Sequence, residues 1–135
     1  VKAIIKDLII DCKVLKKEGV NSVAIMSNDT KNYPADSFEN MIKFAKDNYF
    51  EDINYLIDET QEIAKKYEAV CTPDFFGYNK DLGLQYRGRF RELKNLIPVK
   101  NGDSDLKLSM KMISQTQRGP DEQIPSMGCN IKWFN

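Results

Sequence analysis

The sequence predicts an α/β protein in which helices cover a mixed sheet on both sides. Residues 1–17 have apolar side chains at helix spacing, residues 20–27 form a β-branched apolar run, and residues 74–88 hold two short strand patterns around a turn. A helix leading into a strand is typical of a parallel α/β unit, whereas two strands joined by a short turn form an antiparallel hairpin. At 135 residues the chain fits one domain.

The first helix is predicted over residues 1–17 and ends at Gly19. Its apolar positions recur about every three or four residues and form one buried stripe; they are Val1, Ile4, Ile5, Leu8, Ile9, Cys12 and Leu15. Residues 20–27 alternate little between apolar and polar types, which is typical of a strand covered on both faces. The polar turn Asn28-Asp29-Thr30 then follows, at the edge of the sheet where open α/β proteins place their sites.

A second helix is predicted over residues 37–47, with Ser37 as its N-cap. We expect its inner face to consist of Phe38, Met41, Ile42 and Ala45. A short edge strand is predicted at residues 55–57 and a third helix at residues 61–67. That helix must end before Thr72, because a residue that precedes proline is pushed out of the helical region.

A hairpin and a last helix complete the predicted domain. The hairpin strands are residues 74–78 and 84–88, and the segment between them contains asparagine, aspartate and glycine, which are common turn residues. The last helix is predicted over residues 104–114, with Asp103 or Ser104 as its N-cap.

The predicted domain covers residues 1–117, and residues 118–135 form a tail. The tail is irregular and contains two prolines, but it ends in the apolar residues Trp133 and Phe134. We therefore expect these two aromatic side chains to anchor the tail on the domain.

Composition excludes several classes of function. Lys plus Arg equals Asp plus Glu at 20 each, and the basic residues are scattered, so nucleic acid is not an expected partner. The absence of histidine excludes serine-histidine, cysteine-histidine and histidine-metal chemistry. Three widely spaced cysteines do not form a zinc site or a disulfide framework, so no metal or cofactor is expected. No apolar run reaches the roughly 18 residues of a membrane span, and we expect a soluble, cytoplasmic protein without a membrane partner.

The Thr72-Pro73 pair has a specific meaning in this order of elements. Proline cannot donate a hydrogen bond within a sheet, so Pro73 is expected to open the strand that follows it. With one more strand before Val1, the order of helices and strands becomes that of a thioredoxin-like fold, in which the proline at this position is cis. In the cis form, the Thr72 amide and carbonyl would turn toward a groove and bind an extended peptide or a thiol.

Three segments carry a resemblance to a known family. They are SNDTKNYPADSFENM, YLIDETQEIAKKYEAVCTPDFFGYNKDLGLQYRGRF and PSMGCNIKW. The chain resembles the peroxiredoxin-like group of the thioredoxin superfamily, within the alkyl hydroperoxide reductase and thiol-specific antioxidant class, from Val1 to Trp133. The resemblance implies a thioredoxin-like mixed sheet and thiol-based oxidoreductase chemistry.

The chain departs from that family at its start. The family has a loop of the Cys-Asn-His-Cys-Pro type, which carries the redox cysteines, directly before the residues that match Val1 and Lys2. Here the loop and the strand before it are absent from the sequence. The expectation is that the chain is an N-terminally truncated fragment or that the protein has lost its principal redox site.

The candidate site residues are Cys71, Cys129, Thr72, Pro73 and Asn28. Cys71 is either a reactive thiol beside the groove or a buried thiol under the strand, and Cys129 is either its resolving partner or inert. Thr72 and Pro73 are candidates for substrate binding, and the Asn28 turn borders the same groove. Cys12 lies on the buried helix stripe and is expected to act as a small hydrophobic residue.

Two functions remain open at this level. One is a thiol-disulfide oxidoreductase or peroxiredoxin-like antioxidant domain, acting on a peroxide or a protein disulfide with a thiol reductant. The other is a non-enzymatic binding module that uses the cis-proline groove. With one strand absent, the sheet would expose an edge, so we also expect a homodimer through that edge.

Overall fold

The computed structural model describes residues 1–95, 97–99 and 102–135. The helices are α1 (Ile5–Lys17), α2 (Phe38–Asp47), α3 (Glu62–Lys66) and α4 (Asp105–Thr116), with a 3-10 turn at Pro34–Asp36. The strands are β1 (Ser22–Met26), β2 (Ile53–Ile57), β3 (Cys71–Thr72), β4 (Phe75–Tyr78), β5 (Leu84–Gly88), β6 (Leu93–Lys94), β7 (Ile97–Pro98) and β8 (Cys129–Asn130). The predicted mixed α/β class is confirmed.

Among the described residues the strands form separate pairs. The pair β1-β2 is parallel, in a register that runs from Ser22 opposite Ile53 to Met26 opposite Ile57. The pairs β4-β5, β6-β7 and β3-β8 are antiparallel. The predicted hairpin is confirmed as β4-β5, whereas the two-residue strands β3, β6, β7 and β8 were not predicted.

Helix α1 packs against both larger strand pairs. One core cluster lies between α1, α4 and the hairpin and contains Ile4, Leu15, Tyr86, Phe90, Leu106, Met110 and Ile113, with Phe75 packed against it. A second cluster lies between α1, α2 and the β1-β2 pair and is built on Ile5, Ile9 and Phe50, with Ala24 packed against it. Leu8 packs against both clusters, so the middle of α1 holds the two strand pairs side by side.

The prediction that β1 is covered on both faces is wrong. Alternate residues point toward the helices, but Val23 is 55% and Ile25 is 40% exposed on the opposite face. Helices α1 and α2 both pack on the face that contains Ala24. The apolar run therefore forms a strand with only one covered face.

The inner face of α2 also differs from the expectation. Met41 is buried, and Phe44 makes an edge contact with Phe50 at a ring-centroid distance of 5.8 Å. Phe38 and Ile42, by contrast, are more than half exposed. The helix is rotated so that Phe44, rather than Phe38 or Ile42, meets the aromatic side chains of the second cluster. The predicted Ser37 cap is confirmed, because its Oγ accepts a hydrogen bond from the Asn40 amide at 3.2 Å.

Ser104 caps α4 and also holds a buried carboxylate. Its side chain is fully buried, and its Oγ accepts a hydrogen bond from the Lys107 amide at 3.0 Å. The same hydroxyl donates to Asp11 Oδ2 at 2.6 Å. Because a buried charge without a partner is costly, this bond links the α4 cap to the position of Asp11 in α1.

The Ser104→Ala variant is expected to lower the free energy of unfolding by about 2 kcal/mol. It removes an N-cap, typically worth about 1 kcal/mol, and also a hydrogen bond to a charged group. The matched control is Ser37→Ala, which removes an exposed cap with no buried acid behind it, and we expect a loss of about 1 kcal/mol there. Urea unfolding measures both variants. Equal losses would mean that the Asp11 contact contributes nothing.

The structure also bears on membrane association. Within the three described ranges, no helix is long and apolar enough to cross a membrane.

Candidate functional site

The amino-terminal end of α1 lies close to the turn that follows β1. Helix α1 packs on β1 and is joined to it by a short turn at Gly19, so the two run in opposite directions and the start of the helix lies near the end of the strand. Phe75, two residues after Pro73, packs against the cluster that contains Ile4. The tail pairs with Thr72 through Cys129 and is bonded to Asn28 through Lys132, so the Thr72-Pro73 turn and the Asn28 turn lie at one end of the molecule. The opposite directions of α1 and β1 orient the first turn of α1 toward the same end.

Asn28 connects three segments at this end. Its Nδ2 donates to Asp36 Oδ2 at 3.1 Å, and its Oδ1 accepts from the Lys132 amide at 2.9 Å. Both polar atoms of the side chain are thus bonded within the protein. In this conformation the Asn28 side chain holds the tail against the turn that follows β1.

Asp29 shapes the same turn. Its carboxylate is almost fully buried and accepts hydrogen bonds from the Lys31 amide and from the backbone and side chain of Asn32. Burial works against ionisation, but these hydrogen bonds outweigh it and lower the pKa of Asp29 below its ordinary value. The carboxylate is fully used in closing the turn.

The Thr72-Pro73 bond is cis, as predicted. Strand β3 before it pairs antiparallel with β8, with Thr72 opposite Cys129 and Cys71 opposite Asn130. The Ile131 amide donates to the Val70 carbonyl, and hydrogen-bonded pairs alternate along an antiparallel ladder, so Thr72 and Cys129 form the next hydrogen-bonded pair. The Thr72 backbone groups expected to bind a substrate are therefore paired with the protein's own tail.

The structure does not bring Cys71 and Cys129 together as a disulfide pair. Cys71 is opposite Asn130, one position away from Cys129, and neighbouring residues of a strand point to opposite faces. Both cysteines are free; Cys71 is buried, whereas Cys129 is exposed. A bond between them would require β8 to leave β3.

Cys71 lacks the surroundings of a reactive thiol. Burial raises its pKa, the nearby Asp74 raises it further, and Arg87 offsets this only in part. The Arg87 guanidinium is bound to the Glu68 carbonyl and to Asp74. Arg89, on the same face of the hairpin sequence as Arg87, forms an ion pair with Asp105 at 2.7 Å. The alternative of a buried structural thiol fits Cys71 better.

At pH 7 we expect Cys129 to react with iodoacetamide at least about tenfold faster than Cys71, because the thiolate is the reactive form and a raised pKa reduces its population. Mass spectrometry of quenched digests gives the rate at each site. Cys12, whose pKa is also raised by burial, should react as slowly as Cys71. In urea the three rates should converge, and fast modification of Cys71 in the folded protein would contradict this account of its surroundings.

Gln61 is a central residue of this end that sequence reasoning missed. Its side chain is 1% exposed; Nε2 donates to the carbonyls of Ser27 and Lys132, at 2.8 and 2.9 Å, and Oε1 accepts from the Phe134 amide at 3.0 Å. It thus links the end of β1, the start of α3 and the tail. In the sequence, Gln61 is simply a polar residue at the start of a predicted helix, and no pattern distinguishes it. Its left-handed backbone, with φ of 63°, is visible only in the structure.

The residue that anchors the tail differs from the prediction. Trp133 and Phe134 are 38% and 47% exposed, whereas Ile131 is 5% exposed. The Asp29 amide donates to the Lys132 carbonyl at 2.8 Å, which fixes the tail directly after Ile131. Docking of the tail is confirmed, but Ile131 is the anchor. Cys12 is buried in α1, as predicted.

The candidate site contains no recognisable metal centre. In the part of the chain that the structure describes, no group of three or more cysteine, aspartate or glutamate side chains is placed to hold a metal ion.

The fold and this site define a mixed α/β protein in which the carboxyl-terminal tail pairs with the strand before a cis-proline. No family model matches the chain, and no curated protein matches it. An uncharacterized conserved protein from Geobacillus kaustophilus matches at 37% identity and a TM-score of 0.92, over 99% of this chain and 70% of that one. A hypothetical protein from Sinorhizobium meliloti 1021 matches at 33% identity and a TM-score of 0.88, over 99% of this chain and 73% of that one. The chain belongs to the family of these two proteins.

Proposed function

We propose that this chain belongs to a thiol-dependent oxidoreductase of thioredoxin-like fold, related to the peroxiredoxin-like group, and that it binds the substrate at the end where α1 begins. The observation that carries the proposal is that the tail links the cis Thr72-Pro73 bond and the Asn28 turn at one end of the molecule, toward which the first turn of α1 is directed by its course opposite to β1. A helix amino terminus stabilises a thiolate, and a neighbouring strand edge can hold an extended substrate.

The roles within the proposed site follow from the positions of the residues. Thr72 and Pro73 bind the substrate backbone, and Asn28 fixes the turn beside them. Cys71 and Cys129 are not placed to act as the attacking thiolate, because one is buried with a raised pKa and the other lies in the tail. In the family that the chain resembles, the attacking cysteine belongs to the loop directly before the residues that match Val1.

The test is turnover by the protein produced from its complete gene, whose sequence upstream of Val1 is determined first. Reduced protein is mixed with hydrogen peroxide, or with a peptide disulfide, in the presence of dithiothreitol. We expect consumption of at least one of these substrates, with initial oxidation of a cysteine other than Cys12, Cys71 and Cys129. Lys17→Ala, an exposed change at the far end of α1, serves as the control and should retain full activity. Turnover of neither substrate would overturn the proposal.

A non-enzymatic binding module is the second candidate, and a specific observation favours it. Cys71 is buried with a raised pKa, yet β1 and β4 each pair with only one strand among the described residues. An unpaired edge can accept a strand from another chain. A protein that binds peptides but turns over neither substrate would have this function.

A second copy of the chain is one partner that the β1 edge could bind, as the sequence suggested. The exposed Val23 and Ile25 lie on that strand and would be partly covered by such pairing. Light scattering at increasing protein concentration tests the homodimer. We expect the mass of a dimer, and a monomer mass at high concentration would rule out this contact.

A further inference from the structure

We propose that the tail is a built-in pseudosubstrate, so that residues 128–131 occupy the place of an extended, cysteine-containing peptide that this site binds from a partner protein. The proposal rests on the proposed substrate site at Thr72. It names the ligand as a peptide segment rather than a small hydroperoxide. It also implies that the tail must leave β3 before that segment can bind.

The first argument is the ladder between the tail and β3. Thr72 pairs with Cys129, and the Ile131 amide donates to the Val70 carbonyl at 3.5 Å. The Thr72 hydroxyl also donates to the Cys129 carbonyl at 3.4 Å. An incoming extended peptide would use these same backbone groups, because a peptide that adds to a sheet edge binds mainly through main-chain hydrogen bonds.

Gly128 shows which residue type can lie beside Thr72 in a peptide that pairs with β3. A Cβ atom at this residue would lie only 2.2 Å from the Thr72 carbonyl oxygen and 2.8 Å from its carbon. Both are backbone atoms that cannot rotate away, so a larger residue would separate the strands. The residue before the one opposite Thr72 must therefore be glycine in any peptide that binds in this register.

The two residues that follow define the rest of the recognition pattern. Cys129 lies opposite Thr72 and is exposed, so a sulfur at this position is accessible to solvent beside Thr72. Ile131, two residues further, is apolar and buried. Glycine, cysteine and an apolar residue at these spacings describe the peptide that the site is built to accept.

Two separate sets of contacts hold the tail beyond Met127. One is the ladder with β3. In the other, beyond the end of the ladder, the Lys132 and Phe134 amides donate to Asn28 and Gln61, and Gln61 donates to the Lys132 carbonyl. Ser126 is bound independently, to Asp74 and to the Gly88 carbonyl. A chain that ends at Met127 therefore keeps the Ser126 contacts and loses the proposed occupant.

The experiment measures binding of a fluorescent peptide that consists of residues 126–134, with Cys129 replaced by serine so that no disulfide can form. Fluorescence anisotropy is recorded with the full chain and with a chain shortened to residues 1–127. We expect the shortened chain to bind the peptide and the full chain to bind it at least about tenfold more weakly, because its own tail competes. A control peptide with Gly128→Ala should not bind.

A second variant guards against a folding defect in the shortened chain. The full-length Gly128→Ala protein weakens its own tail and should bind the unaltered peptide. The proposal is overturned if a folded shortened chain does not bind the peptide, if the full chain binds it equally well, or if both variants unfold. The last result would show that the tail is only a structural element.

Peptide binding and enzymatic turnover fail independently. The serine-containing peptide needs no thiol chemistry, so binding without turnover would support the pseudosubstrate and the binding module but not the oxidoreductase. Turnover of hydrogen peroxide without peptide binding would support the oxidoreductase and overturn the pseudosubstrate.

Discussion

Gly128→Ala is expected to detach the carboxyl-terminal tail from β3 and to lower the free energy of unfolding by about 3 kcal/mol. The added Cβ would meet the backbone of Thr72 at 2.2 Å, so the two strands must separate. Separation exposes Ile131, whose burial is worth about 1.5 to 3 kcal/mol, and breaks ladder hydrogen bonds worth about 1 kcal/mol each.

Urea unfolding and limited trypsin digestion measure the effect of Gly128→Ala. Trypsin should cut after Lys132 in the variant well before it does so in the original protein, because a detached tail is unfolded locally and can enter the protease active site. The control is Gly83→Ala, where the nearest atom is a side-chain atom, Asn79 Oδ1, at 3.3 Å rather than a backbone atom at 2.2 Å. That change should cost less than about 1 kcal/mol. A Gly128→Ala protein with an unaltered unfolding curve and a resistant tail would show that the strands adjust without separating.

Gln61→Ala is expected to cost about 3 kcal/mol for a different reason. The change removes hydrogen bonds to the carbonyls of Ser27 and Lys132 and to the Phe134 amide, and it leaves a cavity in a fully buried position. Each lost bond to a buried group costs about 1 kcal/mol or more, and the cavity adds to the loss. The end of β1, the start of α3 and the tail should loosen together.

Two further variants separate the possible causes in Gln61→Ala. Gln117 has the same left-handed backbone, with φ of 67° against 63° for Gln61, so Gln117→Ala controls for conformational cost and should lose less than about 1 kcal/mol. Gln61→Glu keeps the shape but turns the donor into an acceptor that faces two carbonyl oxygens, and we expect a loss as large as that of Gln61→Ala. If Gln61→Glu were as stable as the original protein, the hydrogen bonds to Ser27 and Lys132 would not be the cause. Urea unfolding measures all three.

The effects expected for Gly128→Ala and Gln61→Ala both concern attachment of the carboxyl-terminal tail, at two different contacts. Gly128 controls its pairing with β3, whereas Gln61 controls its attachment to the end of β1. If both variants release the tail, trypsin sensitivity at Lys132 should rise in both. Only the full-length Gly128→Ala protein, however, should bind the unaltered peptide well, because Gln61→Ala removes the side chain that bonds to Lys132 and Phe134 of that peptide. This difference distinguishes a defect in recognition from a general loss of stability.

Local patterns were sufficient for the larger elements of the fold. The helix spacing of residues 5–17 and 105–116, the Ser37 and Ser104 caps, and the turn residues between β4 and β5 each depend on interactions close in sequence. The selection of Thr72 and Pro73 as candidate site residues also depended on a local rule, because proline is excluded from the interior of a sheet.

The predictions that were wrong all concern which faces of helices and strands pack against each other. Nothing in the run VNSVAIMS shows that α1 and α2 pack on the same side of β1 and leave Val23 and Ile25 exposed. The rotation of α2 away from Phe38 likewise depends on the position of Phe50. Two-residue strands such as β3 and β8 have no period to detect, because each exists only through its partner.

For the site, the sequence by itself determined that Cys71, Thr72, Pro73, Asn28 and Cys129 were the residues to consider, because cysteine, proline and turn residues have restricted chemistry or conformation. Only the tertiary structure decided their arrangement. It placed Cys71 and Cys129 on opposite faces of one ladder, occupied the backbone of Thr72 with the tail, and made Gln61 the link between segments 71 residues apart, as in its bond to Lys132. The physical reason is that hydrogen-bond partners distant in sequence leave no trace in local propensity or spacing, which report only on neighbours along the chain.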